Sequence, residues 1–327
     1  MKTTFVIAVL SLFFQMPAQA GEWIQSSFSQ GDGIKTFRLY VPASKVTKAR
    51  PLLVALHGCL NSTTQFAGLA RLQELADTQG VLLLMPQQNM VSNMNFCWNW
   101  HLAENHLRGQ GEPALIVGMV RWVQKIYLID PGQIFVFGPS AGGGMTSILL
   151  ALYPDVFAAG MVGSGTMFKA ASDLMSGMKA SRHGSVESPQ RTAFSAWEKL
   201  TNEKIELPSS VPVMVFHGGA DTYCNPVNGE QATNQFISFN DLLDDGLPNG
   251  SVSSEPISSG QGQVPEGYNY TWESFGKEPK NPLIVFYRVD GMGHGWSGGD
   301  DSYLFNFPKG PDETALMWDF FKRHPRK

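Results

Sequence analysis

Charge is in short supply in this chain. Asp, Glu, Lys and Arg make up 16% of its 327 residues, and the formal net charge is −4. No run of Lys or Arg supplies a local positive field, so nucleic acid is not an expected partner. Cysteine is scarce as well. Cys59, Cys97 and Cys224 allow at most one intrachain disulfide, and the residues alone leave every pairing open. There is no Cys-x-x-Cys pair, and His101 and His106 do not have the i, i+4 spacing of helical metal ligands. No glycine-rich nucleotide motif follows a first strand, so neither metal nor cofactor is expected. Past residue 20, no apolar run approaches the roughly 20 residues that span a bilayer.

What is present begins with an export signal. Lys2 supplies a positive start, residues 5–14 an apolar stretch, and Ala18-Gln19-Ala20 a small-residue cleavage site. The apolar stretch is too short for a membrane anchor. A mature chain starting near Gly21 is expected, soluble and secreted to the periplasm or beyond, where disulfides persist.

Apolar residues make up 43% of the chain, enough for a full core. Short apolar runs at 37–42, 52–56, 81–85, 134–137, 158–162, 213–216 and 283–289 read as strands. Several are continuously apolar, as strands covered on both faces are. Helical patterns at 65–79, 114–125, 145–152 and 313–323 lie among them. The alternation predicts a mostly parallel sheet with helices on both faces, an α/β fold. One catalytic domain over residues 21–327 is expected, with no separate polymer-binding domain. The Gly-, Ser- and Pro-rich stretch 244–263 reads as a surface excursion within that domain, and 172–210 as part of a cap.

Gly-x-Ser-x-Gly occurs twice, around Ser140 and around Ser297. A nucleophile elbow needs a buried strand, a sharp turn and then a helix. Ser140 has the strand 134–137 before it and a small-residue helix start after it, whereas Ser297 sits among glycines with no helix following. Ser140 is therefore the candidate nucleophile. In the chain order Ser, acid, His, the base is His294, in a glycine-rich turn after a strand; His324 reads as a solvated residue of the basic tail. Asp221, in the exit turn of strand 213–216, is the acid that would orient His294, with Asp290 as a weaker competitor. The oxyanion hole is expected from the N–H groups of Ala141 and Cys59, and His57 reads as structural because it precedes the nucleophile. Trp98, Trp100 and Trp296 are candidate walls of the substrate cleft.

With those residues placed, the chain resembles the polyhydroxybutyrate depolymerase family of esterases, within the α/β-hydrolase fold. The resemblance rests on stretches in family order. They include Leu56-His57-Gly58-Cys59, Met85-Pro86-Gln87-Gln88, Cys97-Trp98-Asn99-Trp100, Gly109-Gln110-Gly111-Glu112, Gly138-Pro139-Ser140-Ala141-Gly142-Gly143, His217-Gly218-Gly219-Ala220-Asp221 and Gly293-His294-Gly295-Trp296-Ser297-Gly298-Gly299. It implies Ser140, Asp221 and His294 as a triad and a Cys59–Cys97 disulfide, leaving Cys224 free where an apolar residue is expected. It also implies an ester polymer or oligomer as substrate, hydroxyalkanoate first and a feruloyl or acetyl ester of polysaccharide second. From other classes, an acyltransferase or a non-catalytic binding protein would share the fold.

Overall fold

The computed structural model describes residues 21–31, 33–43 and 47–326; the expected export signal, residues 1–20, lies outside the described residues. The strands are β1 (Glu22–Gln30), β2 (Gly33–Val41), β3 (Arg50–Ala55), β4 (Leu82–Gln87), β5 (Ile129–Pro139), β6 (Ala159–Gly163), β7 (Val213–Gly218), β8 (Ser258–Gln263), β9 (Asn269–Phe275), β10 (Ile284–Val289), β11 (Trp296–Ser297) and β12 (Asn306–Phe307). The helices are α1 (Thr63–Leu69), α2 (Leu72–Gln79), α3 (Gly111–Ile126), α4 (Ala141–Leu152), α5 (Leu174–His183), α6 (Pro189–Asn202), α7 (Val227–Asp245) and α8 (Glu313–Arg323).

Ten strands form one sheet in the order β1-β2-β4-β3-β5-β6-β7-β10-β9-β8. The six from β4 to β10 in that order pair in parallel, and antiparallel pairs flank them on both sides. The continuous apolar runs follow from burial on both faces. In β3, Leu52 and Val54 enter the core on one face while Leu53 and Ala55 enter the core on the other, none more than 1% exposed. Helices α3, α4, α6 and α7 carry apolar residues into the first core, and α1, α2 and α8 into the second. Because the central strands are parallel, their C-terminal ends share one edge of the sheet, and the loops there converge on a common crevice.

Three sequence expectations change. The pattern 65–79 is two helices, broken where Arg71 takes φ 51°. The guanidinium there reaches the Gly298 carbonyl and the Asp312 carboxylate, a tie between distant segments that hydrophobic periodicity does not register. The stretch 244–263 is not wholly an excursion, since its last six residues form β8 at the edge of the main sheet. Its Ser-Ser-Gly-Gln-Gly-Gln sequence carries no apolar alternation to announce a strand. His324 is buried rather than solvated: its Nδ1 meets the Phe320 carbonyl at 2.8 Å and its ring lies on Phe320. The expected cap region 172–210 folds as α5 and α6. Helix α6 packs on α7 and α4, and Ser181 of α5 borders the crevice.

Candidate active site

Ser140 is the single residue between β5 and α4, with φ 57° and ψ −123°. A non-glycine residue seldom takes such a conformation, and it turns the chain sharply from strand to helix. Its neighbours must be small. A Cβ on Gly138 would come 2.2 Å from the Leu56 carbonyl oxygen, and one on Gly142 would come 2.1 Å from the same atom. The end of β3 therefore packs directly on the elbow. The Ser140 N–H donates to the Gly163 carbonyl at 2.8 Å, tying the turn to β6.

Two backbone N–H groups belong to the expected oxyanion hole. Ala141 opens α4, where an N–H has no partner within its helix and the helix dipole is positive. The loop His57-Gly58-Cys59 lies alongside: a Cβ on Gly58 would stand 3.4 Å from the Ser140 Cβ. His57 fixes this loop. It is fully buried, and its Nδ1–H donates to the Gly58 carbonyl at 2.8 Å, while Nε2 accepts from Gln87 Nε2 and the Gln88 N–H, each at 3.1 Å. Burial lowers its pKa to about 4, so the ring is neutral and holds one tautomer. The Gly58 carbonyl and the Cys59 N–H belong to one planar trans peptide, so pinning the former aims the latter.

Gln88 extends the brace. Its side chain accepts from Lys35 and donates to the Cys97 carbonyl, at 2.9 Å, and to Glu112. Glu112 pairs with Lys35 at 3.0 Å and accepts the Asn99 N–H at 2.8 Å, both carboxylate and ammonium being buried. Cys97 is bonded to Cys59, as the resemblance implies, and Cys224 is a free, buried thiol. Gln88 and Glu112 fall within family-like stretches of the sequence, but nothing in residue type or spacing announces that they meet Lys35.

On the far side of Ser140, the Asp221 carboxylate is buried after β7. It accepts His294 Nδ1–H at 2.7 Å through Oδ2, and the N–H groups of Tyr223 and Cys224 at 2.9 and 2.8 Å through Oδ1. His217 Nε2 stands 3.4 Å from the same carboxylate. Burial alone would raise the Asp221 pKa. The hydrogen bonds from His217 and His294 outweigh it and hold the group well below the usual carboxylate range. Asp290, the competitor, is exposed, with its N–H bonded to Asn269. Ser297 is buried in β11; its hydroxyl donates to the Pro311 carbonyl at 2.7 Å and its N–H to Glu313. Glu313 is itself buried, which pushes its carboxyl well above the usual range, and it anchors the loop that carries His294 by accepting the Ser297 N–H.

Ser140, Ala141, Cys59 and His294 open on one cavity of about 260 Å³. Trp100 and Trp296 line it, so two of the three expected wall residues stand there. Trp98 does not. It is fully buried beside the His57-Gly58-Cys59 loop, its ring 5.7 Å from that of His57 and 5.8 Å from Lys35 Nζ. The loop carrying the two tryptophans presents them to different surroundings, and the Trp98 position is filled by the core. Leu60, Phe66, Leu69, Tyr223 and Phe305 also line the cavity, without any motif in the sequence to mark them. Cys224 lines it too; burial raises its thiol well above the ordinary range, so it serves as a small, largely apolar wall group.

The profile of the esterase PHB depolymerase family matches residues 35–251. Poly(3-hydroxyalkanoate) depolymerase C of Paucimonas lemoignei is 29% identical over 272 residues, 83% of this chain and 60% of that protein; this chain thus spans about three fifths of that relative's length. Feruloyl esterase B of Thermothelomyces thermophilus is 34% identical over 201 residues, 61% of this chain and 68% of that one. Among solved structures, the acetyl xylan esterase of Aspergillus awamori superposes with a TM-score of 0.70 at 19% identity, covering 93% of this chain and all of that one. That likeness shows the fold, an α/β-hydrolase sheet. From the matching profile, the chain belongs to the PHB depolymerase family of esterases.

Proposed function

We propose that this protein is an exported carboxylic-ester hydrolase with a Ser140–His294–Asp221 triad. The observation that carries the reading is the 2.7 Å bond from His294 Nδ1 to a buried Asp221 carboxylate, beside a cavity that also receives Ser140 from a strained elbow. With Nδ1 held by Asp221, Nε2 is the nitrogen left to take the Ser140 proton. Ser140 Oγ attacks the ester carbonyl, and the N–H groups of Ala141 and Cys59 stabilise the oxyanion. His294 then gives its proton to the leaving alcohol, and the bond from carbonyl carbon to alkoxide oxygen breaks. Water, deprotonated by His294, attacks the acyl-enzyme in the same way and releases the acid with Ser140 restored. Asp221 remains ionised throughout and stabilises the imidazolium.

Hydroxyalkanoate oligomers or polymer are the first substrate reading. Support comes from the relative named as a poly(3-hydroxyalkanoate) depolymerase and from the largely apolar cavity lining. Feruloyl or acetyl esters of polysaccharide are the second, favoured by relatives named feruloyl esterase and acetylxylan esterase. The Cys59–Cys97 disulfide supports export.

A serine-directed phosphonate should label the protein, and Ser140→Ala should abolish both labelling and hydrolysis of a p-nitrophenyl ester. Hydrolysis at the parent rate in that variant would end the assignment. Hydroxybutyrate release from amorphous polymer, compared with ferulate and acetate release from xylan, separates the two substrate readings.

A further inference from the structure

Trp100, Ser164 and Thr166 line one part of the cavity, and His294 lines another, where two aromatic rings meet it. The Tyr223 ring lies 5.5 Å from the imidazole, tilted by 38°, and the Phe305 ring lies 6.4 Å away at 81°. Tyr223 and Phe305 also meet each other, at 6.1 Å and 86°. Their exposures differ sharply from that of the group they touch. His294 sits on a glycine-rich turn, yet only 11% of its side chain meets solvent, while Tyr223 is 66% and Phe305 42% exposed. Rings left that open bury little apolar surface, so core packing gives no account of where they stand.

Each ring is tied through its own backbone to a group beside the imidazole. The Tyr223 N–H donates to Asp221 Oδ1 at 2.9 Å, on the carboxylate whose other oxygen accepts His294 Nδ1–H. Phe305 precedes β12, which pairs with β11 in the register Trp296↔Asn306, so residue 305 falls opposite residue 295. Its carbonyl accepts the Trp296 N–H at 2.9 Å, and a Cβ on Gly295 would come 2.1 Å from that oxygen. Only glycine leaves room for this approach directly after His294. Phe305 itself takes φ 60°, a conformation that costs a bulky residue and that clusters at functional sites. A strained residue, a required glycine and a strand pair thus combine to bring Phe305 against both Tyr223 and the imidazole.

One hydrogen bond at Nδ1 leaves an imidazole free to swing about that bond, and a ring lying against it removes the freedom. An aromatic ring also attracts a cation within about 6 Å of its centroid, while a neutral imidazole gains little from it. We propose that Tyr223 is a positioning residue for His294, held against the imidazole by Phe305, and that it stabilises the imidazolium formed when His294 takes the Ser140 proton. The inference rests on the hydrolase reading above and deepens it. The cation is present in the transition state and absent from the resting enzyme, so the benefit falls on kcat. Both rings line the cavity, and the competing role is a wall that does no more than touch substrate.

The test measures kcat, KM and the pH profile on p-nitrophenyl acetate and p-nitrophenyl butyrate. It uses the parent, Tyr223→Phe, Tyr223→Leu, Phe305→Asn, and Tyr223→Leu combined with Phe305→Asn. Leu keeps an apolar wall without a ring, and Asn suits the left-handed backbone at 305. Tyr223→Leu should lower kcat about fivefold on both esters alike, with KM near the parent's, the worth of one exposed ring–cation contact. It should also move the acid-side fall of kcat/KM to lower pH by about 0.7 unit, the same contact read on the free enzyme. Asp221, bonded to the imidazole, and His217 beyond it are unchanged in every variant, so a moved limb reports the ring. Tyr223→Phe should match the parent. Phe305→Asn should shift kcat and the limb in the same direction and add nothing further to Tyr223→Leu. The proposal is overturned, with the hydrolase reading intact, if Tyr223→Leu leaves the acid limb where it is, whether or not kcat falls. A KM that rises with acyl length at constant kcat, or a Tyr223→Phe variant as impaired as Tyr223→Leu, overturns it equally. If the parent hydrolyses neither ester, the hydrolase reading falls and the positioning role with it.

Discussion

His57 makes a prediction that depends chiefly on burial. In the folded chain its pKa is lowered to about 4 by desolvation, against 6.5 for the exposed ring. The unfolded chain therefore binds a proton in the window between those values while the folded chain does not, and stability rises with pH across it. The contribution is fully present above about pH 6.5 and is lost as pH falls towards the folded value. The 2.5-unit gap is worth about 3 kcal/mol at 1.36 kcal/mol per unit. Burial also lowers His101, His106 and His324, so the parent's pH dependence is a sum, and a variant must isolate His57. His57→Asn keeps a donor near the Gly58 carbonyl and removes the titrating ring. Urea unfolding with the disulfide intact, at about pH 7.5 and about pH 4, gives two stabilities for each protein. The drop between them should be smaller in the variant by about 3 kcal/mol. Equal drops would refute the argument, because they would mean that the buried ring takes up its proton without cost. The same variant should also lose activity through kcat more than KM, since the Cys59 N–H is used only when the oxyanion forms.

Asp221→Asn should lower kcat by about 10⁴-fold by favouring the wrong imidazole tautomer. The N–H groups of Tyr223 and Cys224 still find an oxygen in the variant, so its near-UV circular dichroism should match the parent's. Replacing both Cys59 and Cys97 by Ala opens a loop of sequence separation 38, which should cost about 4 kcal/mol of unfolding free energy on the chain-entropy account, measured in urea. Lys35→Met leaves the Glu112 carboxylate buried without its cation and should destabilise by about 3–5 kcal/mol, a loss that adding Glu112→Gln should partly restore in the same denaturation assay.

Much of the fold was readable from the chain because burial leaves a mark on composition. The strand 52–56 is apolar at every position, and a strand between two helix layers has to be. The same logic hides β8, whose serines, glycines and glutamines sit at the edge of the sheet and are not required to be greasy. The candidate triad was legible because chain order, a strand before and a helix after restrict the choice. The wall was less so: Trp98 and Trp100 differ by two positions, and only the three-dimensional packing decides that one faces the cavity and the other the core. Ser164 and Thr166 left no trace at all. Their buried hydroxyls have no hydrogen-bond partner among the described residues, and no pattern of residue types encodes a missing partner.

The Cys59–Cys97 bond joins the loop proposed to supply an oxyanion donor to the segment that carries Trp100. Two parts of the cavity lining are thereby placed under the control of a single oxidation event. Before that event the chain has three thiols and an oxyanion loop braced only by His57 and the Gln88 network. For an exported chain, as proposed above, the redox state of the surroundings would act as an assembly signal: the loop and the wall would lock together in an oxidising compartment, and ester cleavage would reach full rate there.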